Sequence, residues 1–118
     1  MKRSERACQI WAVLALCAKN RQTITYGILS KLTGIAAQGL GQCLEPIQSY
    51  CLLNELPPLT ILVVQQDSGF PGDGFTGSRA EIFAKDLIRV FDQDWLAHGN
   101  PQPDKLEEAA AKRPSNGV

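Results

Sequence analysis

Histidine and closely paired cysteines are almost absent from this chain. It has one histidine, His98, and four cysteines, none of which forms a Cys-x-x-Cys pair. Because protein zinc sites are built from closely spaced Cys and His ligands, this pattern predicts no metal site and no bound cofactor. We interpret the cysteines as small buried hydrophobic residues, above all Cys17, Cys43 and Cys51. Free thiols of this kind favour a reducing, cytoplasmic setting.

Long hydrophobic runs are also missing. The apolar run from Ile10 to Ala18 is shorter than the ~20 residues that a helix needs to cross a bilayer. Lys19-Asn20-Arg21 follow it, where a signal peptide would carry small residues for cleavage. The sequence therefore predicts no membrane partner. Its 118 residues, of which 44% are apolar and 20% charged, suit one small globular core.

Charge of neither sign is in excess, since 12 basic residues balance 12 acidic ones. Between Thr23 and Gln66 the only basic residue is Lys31. Nucleic-acid-binding proteins gain much of their affinity from several Lys and Arg contacts to phosphate, so DNA binding through this region is expected to be weak. Further cations on and just after the first predicted helix offer contacts to flanking phosphates: Lys2, Arg3, Arg6, Lys19 and Arg21.

A helix, a glycine turn and a second helix are predicted in the centre of the chain. Thr25 is the expected cap of the first of these helices, over about 26–33, and Gly34 suits the positive φ at its end. The second helix is predicted over about 36–54, and Pro46 is expected to end or kink it because proline lacks the N–H of a helical bond. This order is typical of a helix-turn-helix, a unit that most often presents its second helix to DNA.

Apolar residues at helical spacing predict two further long helices. One covers about 3–18, and the other starts at a Ser78-x-x-Glu81 capping box and runs to about Ala97. We expect the core to combine the apolar sides of all these elements: Trp11, Leu14, Leu29, Leu32, Leu40, Leu44, Ile61, Val63, Phe83 and Leu87.

The segment between the central helices and Ser78 has strand and loop character. Leu59 to Val64 is apolar, rich in β-branched residues and preceded by two prolines, which predicts a buried strand. The following Gly69–Phe75 contains three glycines and a proline, so it is expected to form either the wing of a winged helix or a binding loop. Its candidate partner-binding residues are Phe70, Asp73 and Phe75.

After His98 the chain changes character. Two prolines and a glycine interrupt residues 99–103, a short helix is predicted to begin after Pro103, and residues 112–118 are expected to form a frayed tail. The predicted organisation is a single winged-helix domain over residues 1–98, with a C-terminal helix and flexible tail over residues 99–118. The predicted fold class is α/β and mostly α, a winged helix-turn-helix with extra C-terminal helices.

Several motifs follow one another in a recognisable order: Ile10-Trp11, Thr25-Tyr26-Gly27-Ile28-Leu29, Ala36-Ala37-Gln38-Gly39-Leu40-Gly41 and Pro57-Pro58. Together, over residues 8 to 77, they resemble the DNA-binding domain of alkylguanine-DNA alkyltransferases and of the non-catalytic alkyltransferase-like proteins. The resemblance implies a winged helix like the alkyltransferase C-terminal domain. It also implies that Tyr26 contacts a backbone phosphate beside a flipped nucleotide.

The chain departs from this family where the family performs its chemistry. The helix-borne arginine of the family falls on Gln38, and the acceptor cysteine of its Pro-Cys-His-Arg motif falls near Thr60. A reactive thiolate needs a cysteine whose pKa is lowered by a nearby base, and His98 lies in a different segment of the chain. We therefore expect no enzymatic activity and assign no catalytic residue.

Two functions remain open from the sequence. The first is a non-enzymatic DNA-binding or DNA-sensing protein that contacts duplex DNA through Tyr26, Ser30, Lys31, Gln38 and Gln42. The second is a small protein-interaction module on the same scaffold, such as an immunity, antitoxin-like, phage or plasmid accessory protein. The neutral second helix and the aromatic Gly-rich loop favour the second, and analogy of fold alone does not separate the two.

Overall fold

The computed structural model describes residues 1–71 and 77–114, with the side chains of residues 77–79 excepted. The described part is mostly helical with one two-stranded sheet, which confirms the mostly-α class. Its elements are α1 (Arg3–Lys19), β1 (Ile24–Thr25), α2 (Tyr26–Thr33), α3 (Leu40–Leu53), β2 (Val63–Val64), α4 (Gly77–Asp92), α5 (Trp95–His98) and α6 (Pro103–Lys112). Among these helices, none is both long and apolar enough to cross a membrane.

Helix α1 lies at the centre of the packing, in contact with α3, α6 and the turn before β2. Its apolar stripe faces inward as predicted, since Ala7, Ile10, Trp11 and Leu14 are all buried. Cys17 on the same stripe is half-buried. Burial of each large side chain of this stripe contributes about 1.5 to 3 kcal/mol to folding, so α1 organises the core.

Helix α3 runs unbroken from Leu40 to Leu53, so the prediction that Pro46 would end it is wrong. A proline inside a helix costs about 3 kcal/mol because it removes one backbone hydrogen bond and crowds the preceding turn. Leu44 and Ile47 on either side of it are fully buried, and α3 packs on both α1 and α6. Their burial offsets that cost. The irregularity lies earlier, where a 3₁₀ turn over Ala37–Gly39 precedes the α-helix.

The predicted strand over residues 59–64 is mostly wrong. Leu59–Leu62 forms a 3₁₀ turn, and only Val63–Val64 is a strand. It pairs with β1 in parallel, with Ile24 opposite Val63 and Thr25 opposite Val64. The periodicity of a short apolar run does not distinguish a buried strand from a buried helical turn. Here the run is buried partly as a 3₁₀ turn and partly as a strand.

Of the two core residues predicted in α2, the structure confirms Leu29 and contradicts Leu32. Leu29 is fully buried, while Leu32 is 63% exposed and Ile28 is 53% exposed, so Leu32 does not belong to the core. The half-buried Tyr26 and Ser30 flank Leu29 on the inward side. Residues 26, 29, 30 and 33 recur at helical spacing and form the inward face of α2. Residues 28 and 32 have the same spacing and would suit burial equally well, but they lie on the solvent face.

The predicted helix from Ser78 to Ala97 is two helices. Helix α4 begins at Gly77 and ends at Asp92, and the predicted cap at Ser78 lies among side chains outside the described part of the chain. Asp94 then caps α5 by accepting a hydrogen bond from the Ala97 amide at 3.1 Å. The Trp95 indole donates to the Val90 carbonyl at 2.8 Å, which folds α5 back onto the end of α4. Of the predicted core residues in α4, Phe83 and Leu87 are half-buried.

Helix α6 begins at Pro103, as predicted, and packs on α1 and α3. Leu106 and Ala109 point into the hydrophobic core. Arg3, the first residue of α1, bridges the other two helices, with one guanidinium nitrogen 3.1 Å from Glu107 of α6 and another 3.5 Å from Glu45 of α3. The part of the predicted tail at 115–118 lies outside the described residues.

Candidate nucleic-acid interface

The helix-turn-helix element is built as its local sequence predicts. The Thr25 hydroxyl caps α2 by accepting a hydrogen bond from the Ile28 amide at 3.2 Å. Gly34 ends α2 with φ 75° and donates its amide to the Ser30 carbonyl at 2.8 Å. A residue with a side chain is strained at that φ, so glycine suits this turn. The Thr33 hydroxyl donates to the Leu29 carbonyl at 2.8 Å and closes the last turn.

Three of the five predicted DNA-contact residues are exposed to solvent: Lys31 in α2, Gln38 in the 3₁₀ turn and Gln42 in α3. Gln38 and Gln42 are four residues apart along the second half of the helix-turn-helix, about one helical turn. The three side chains offer two amide groups and one ammonium group to solvent. Such groups can bond to base edges and to one phosphate.

The other two predicted contact residues are half-buried and already bonded within the chain. The Tyr26 hydroxyl donates to the carbonyl of Pro71 at 3.0 Å, and the Ser30 hydroxyl donates to the carbonyl of Ile35. A hydroxyl has one proton to donate. A bond from Tyr26 to a phosphate therefore requires release of Pro71.

The cations of the N-terminal region are largely engaged inside the protein. The hydrogen bond to Glu107 raises the pKa of Arg3, and Arg6 donates to the Thr33 carbonyl at 2.8 Å. Arg21 pairs with Asp92 at 3.1 Å, and its guanidinium lies 5.2 Å from the centre of the Phe91 ring. These bonds reduce the positive charge available to flanking phosphates.

Residues 65–71, which follow β2, are folded onto the rest of the described protein. The Gln65 amide donates to the Phe70 carbonyl at 2.8 Å, and the Phe70 ring meets the Phe83 ring of α4 edge to face, with centroids 5.5 Å apart. Phe70 is half-buried. The other two candidate residues of this loop, Asp73 and Phe75, lie outside the described residues.

Three of the four cysteines, Cys17, Cys43 and Cys51, sit in surroundings that suppress thiolate formation. Cys43 and Cys51 are buried, as predicted, and burial raises the pKa of Cys51 to about 12. Burial also raises the pKa values of Cys17 and Cys43. Thr60, near which the predicted resemblance puts an acceptor cysteine, is itself buried. In the described ranges no three His, Cys, Asp or Glu residues are grouped to hold a metal ion.

Sequence reasoning missed an aromatic cluster around Trp11. The Trp11 ring meets the rings of Tyr50 and Trp95 edge to face, at 5.4 Å and 5.5 Å. The Tyr50 hydroxyl is hydrogen-bonded to His98 Nε2 at 2.8 Å. His98 is far from Tyr50 in sequence, and no local pattern announces their contact. The cluster joins α1, α3 and α5 and closes one end of the core.

Comparison with known proteins found no match among protein-family models, curated proteins or solved structures. Interpretation of the surface around α2 and α3 therefore rests on its own geometry and charge.

Proposed function

We propose that this protein is a non-enzymatic DNA-binding protein that uses α2 and α3 as a winged helix-turn-helix. The observation that carries the proposal is the exposure of Lys31 on α2, Gln38 in the 3₁₀ turn and Gln42 on α3. Helix-turn-helix proteins commonly place the start of their second helix in the major groove. The resemblance of the same residues to alkyltransferase-like proteins supports this assignment, and the segment after β2 takes the place of the wing.

Binding of this kind is weak and reads bases more than phosphates. A glutamine amide pairs with the N6 and N7 edge of adenine, which suits Gln38 and Gln42. With Lys31 and one or two flanking cations as phosphate contacts, the log-log dependence of affinity on salt has a slope of about −2 to −3.

Fluorescence anisotropy with labelled duplexes at two salt concentrations tests the proposal. Lys31→Ala reduces the salt slope by about one unit, while Gln38→Ala changes base preference and leaves the slope unchanged. Lys85→Ala, an exposed lysine on α4, is the matched control and changes neither. Absence of binding at low salt, or binding indifferent to Tyr26, Lys31 and Gln38 replaced together, contradicts the proposal.

A protein-interaction module is the second candidate, and a specific observation favours it. Ile28 and Leu32 lie one turn apart on the solvent side of α2, and both are more than half exposed. Exposed neighbouring aliphatic side chains are typical of protein contacts, and the engaged arginines favour a neutral partner surface. Leu32→Asp then removes a co-purifying partner while Gln38→Ala retains it. Retention of that partner by both variants contradicts this candidate.

A further inference from the structure

A cavity of about 320 Å³ lies at the C-terminal end of α3, away from the helix-turn-helix surface. It opens between the last turns of α3, the segment that follows them and Arg89 of α4. Pockets for small ligands in proteins start at about this volume, and they combine an apolar lining with a few polar groups. The apolar part of this lining consists of Cys51, Leu52, Leu56 and Pro58.

The thiol in this lining acts as an apolar group. Cys51 is 1% exposed, and its pKa is raised to about 12 because burial disfavours the thiolate. At neutral pH it is therefore uncharged and unreactive. A ligand that enters the cavity meets an aliphatic surface on this side.

The two charged residues at the rim of the cavity, Arg89 and Glu55, differ in their interactions with the rest of the protein. One guanidinium nitrogen of Arg89 lies 3.0 Å from Asp86, which offsets part of the charge of Arg89. Glu55 also lines the cavity, and in the described part of the chain no hydrogen bond or ion pair engages its side chain. The rim thus offers one available carboxylate beside an apolar lining.

The backbone holds Glu55 in an unusual conformation. Its φ is 54°, in the left-handed region that glycine adopts more easily, and the Leu56 amide donates to the Cys51 carbonyl at 2.8 Å to close the helix end. Arg21 has the same φ of 54° just after α1, where the Gln22 amide donates to the Cys17 carbonyl, so this conformation is a way of ending a helix. A glycine would end α3 at lower cost but would remove the carboxylate from the rim.

We propose that this cavity binds a small organic amine, with the apolar body of the ligand against Leu52, Leu56 and Pro58 and its ammonium group on Glu55. Ammonium and carboxylate form a charge-assisted hydrogen bond, which is stronger beside an apolar surface than in open water. This site is separate from the proposed DNA contacts. Its occupancy does not depend on whether the protein binds DNA.

Three probes with one apolar body and different charge test the site: phenethylamine, 2-phenylethanol and phenylacetate. Binding to the whole chain is followed by amide chemical shifts in a titration. We expect phenethylamine to shift the amides of residues 48–56 and of Arg89, and to bind at least about tenfold more tightly than the other two. Equal affinity for all three probes, or shifts elsewhere on the protein, overturns the proposal.

Two variants test whether the charge of the rim, and not the integrity of the fold, determines binding. Glu55→Gln keeps the size of the side chain and weakens phenethylamine binding about tenfold, and Leu52→Lys places a competing ammonium on the rim and abolishes it. Glu81→Gln, an exposed carboxylate on α4, is the matched control and leaves binding unchanged. Thermal melts check that each variant folds, and an unfolded Leu52→Lys leaves Glu55→Gln to decide. Unchanged affinity in a folded Glu55→Gln protein refutes the assignment.

Discussion

The guanidinium of Arg6 in α1 donates a hydrogen bond to the backbone carbonyl of Thr33, the last residue of α2, at 2.8 Å. The C-terminal end of a helix has carbonyls without helical partners and carries a partial negative charge. A cation at this end donates hydrogen bonds to the carbonyls and offsets the negative charge. Arg6 thus joins the central helix to the helix-turn-helix at the turn that orients α3. The residue that the sequence offers as a phosphate contact stabilises the fold instead.

Replacing Arg6 is therefore expected to lower stability. Arg6→Ala reduces the free energy of unfolding by about 1 to 2 kcal/mol, because the Thr33 carbonyl loses a charged donor. Urea denaturation measures the change, with Lys85→Ala as an exposed control on α4 that stays within about 0.5 kcal/mol of the wild type. Equal stability of the two variants would show that water replaces the guanidinium at no cost.

Two leucines of the helix-turn-helix provide a matched pair. Leu40→Ala is expected to cost about 2 to 5 kcal/mol, because Leu40 is fully buried and truncation leaves a cavity. Leu32→Ala changes stability by less than about 0.5 kcal/mol, because Leu32 is largely exposed. Chemical denaturation of both variants decides the side that α2 buries. A large loss in Leu32→Ala would restore the sequence-based assignment of Leu32 to the core.

Glycine is expected to be the more stable residue at the ends of both α2 and α3. Glu55→Gly stabilises the protein by about 0.5 to 1 kcal/mol, because it relieves a left-handed conformation at φ 54°. Gly34→Ala introduces the same strain at φ 75° and destabilises by about 1 kcal/mol. Calorimetric melting of the two variants measures both changes. A destabilised Glu55→Gly protein would show that the Glu55 side chain contributes more than its backbone conformation costs.

Burial of Cys51 makes stability depend on alkaline pH. The pKa of its thiol rises from an ordinary value of 9.0 to about 12 on folding, so between these values the native state holds a proton that the unfolded state has lost. The contribution is complete below pH 9.0 and declines above it, by up to about 1.4 kcal/mol per pH unit. Cys51→Ala lowers this slope by up to that amount in urea titrations repeated at several pH values. An unchanged slope would mean that the folded thiol ionises as in water.

The same burial predicts the outcome of incubation with alkylated-guanine DNA. Alkyl transfer needs a thiolate, and burial raises the pKa values of Cys17, Cys43 and Cys51. We expect mass spectrometry of the intact protein to show no alkyl adduct. A stoichiometric adduct on Cys43 or Cys51 would establish a transferase activity. Denatured protein treated with an alkylating reagent is the control that shows all four thiols present.

Elements with complete local signals were predictable from the sequence. The Thr25 cap and Gly34 define both ends of α2, and Pro103 defines the start of α6. The pattern of Ala7, Ile10 and Trp11 identifies the inward face of α1. Gln38 lies in a 3₁₀ turn instead of the predicted helix, but the positions of Tyr26, Ser30 and Lys31 in α2 and of Gln42 in α3 followed from the sequence. The bonds that occupy Tyr26 and Ser30 did not, because their partners Pro71 and Ile35 are set by packing.

The sequence by itself determined the mostly helical class, the helix-turn-helix order and the neutral charge of its exposed surface. Local hydrogen bonding, glycine conformation and apolar periodicity act within a few residues and can be read from neighbours along the chain. Only the tertiary structure decided that Leu32 faces solvent, that α3 continues through Pro46 and that Tyr50 meets His98. These features depend on competition between distant surfaces for burial, and the free energy of burying large apolar groups exceeds local preferences of a few kcal/mol.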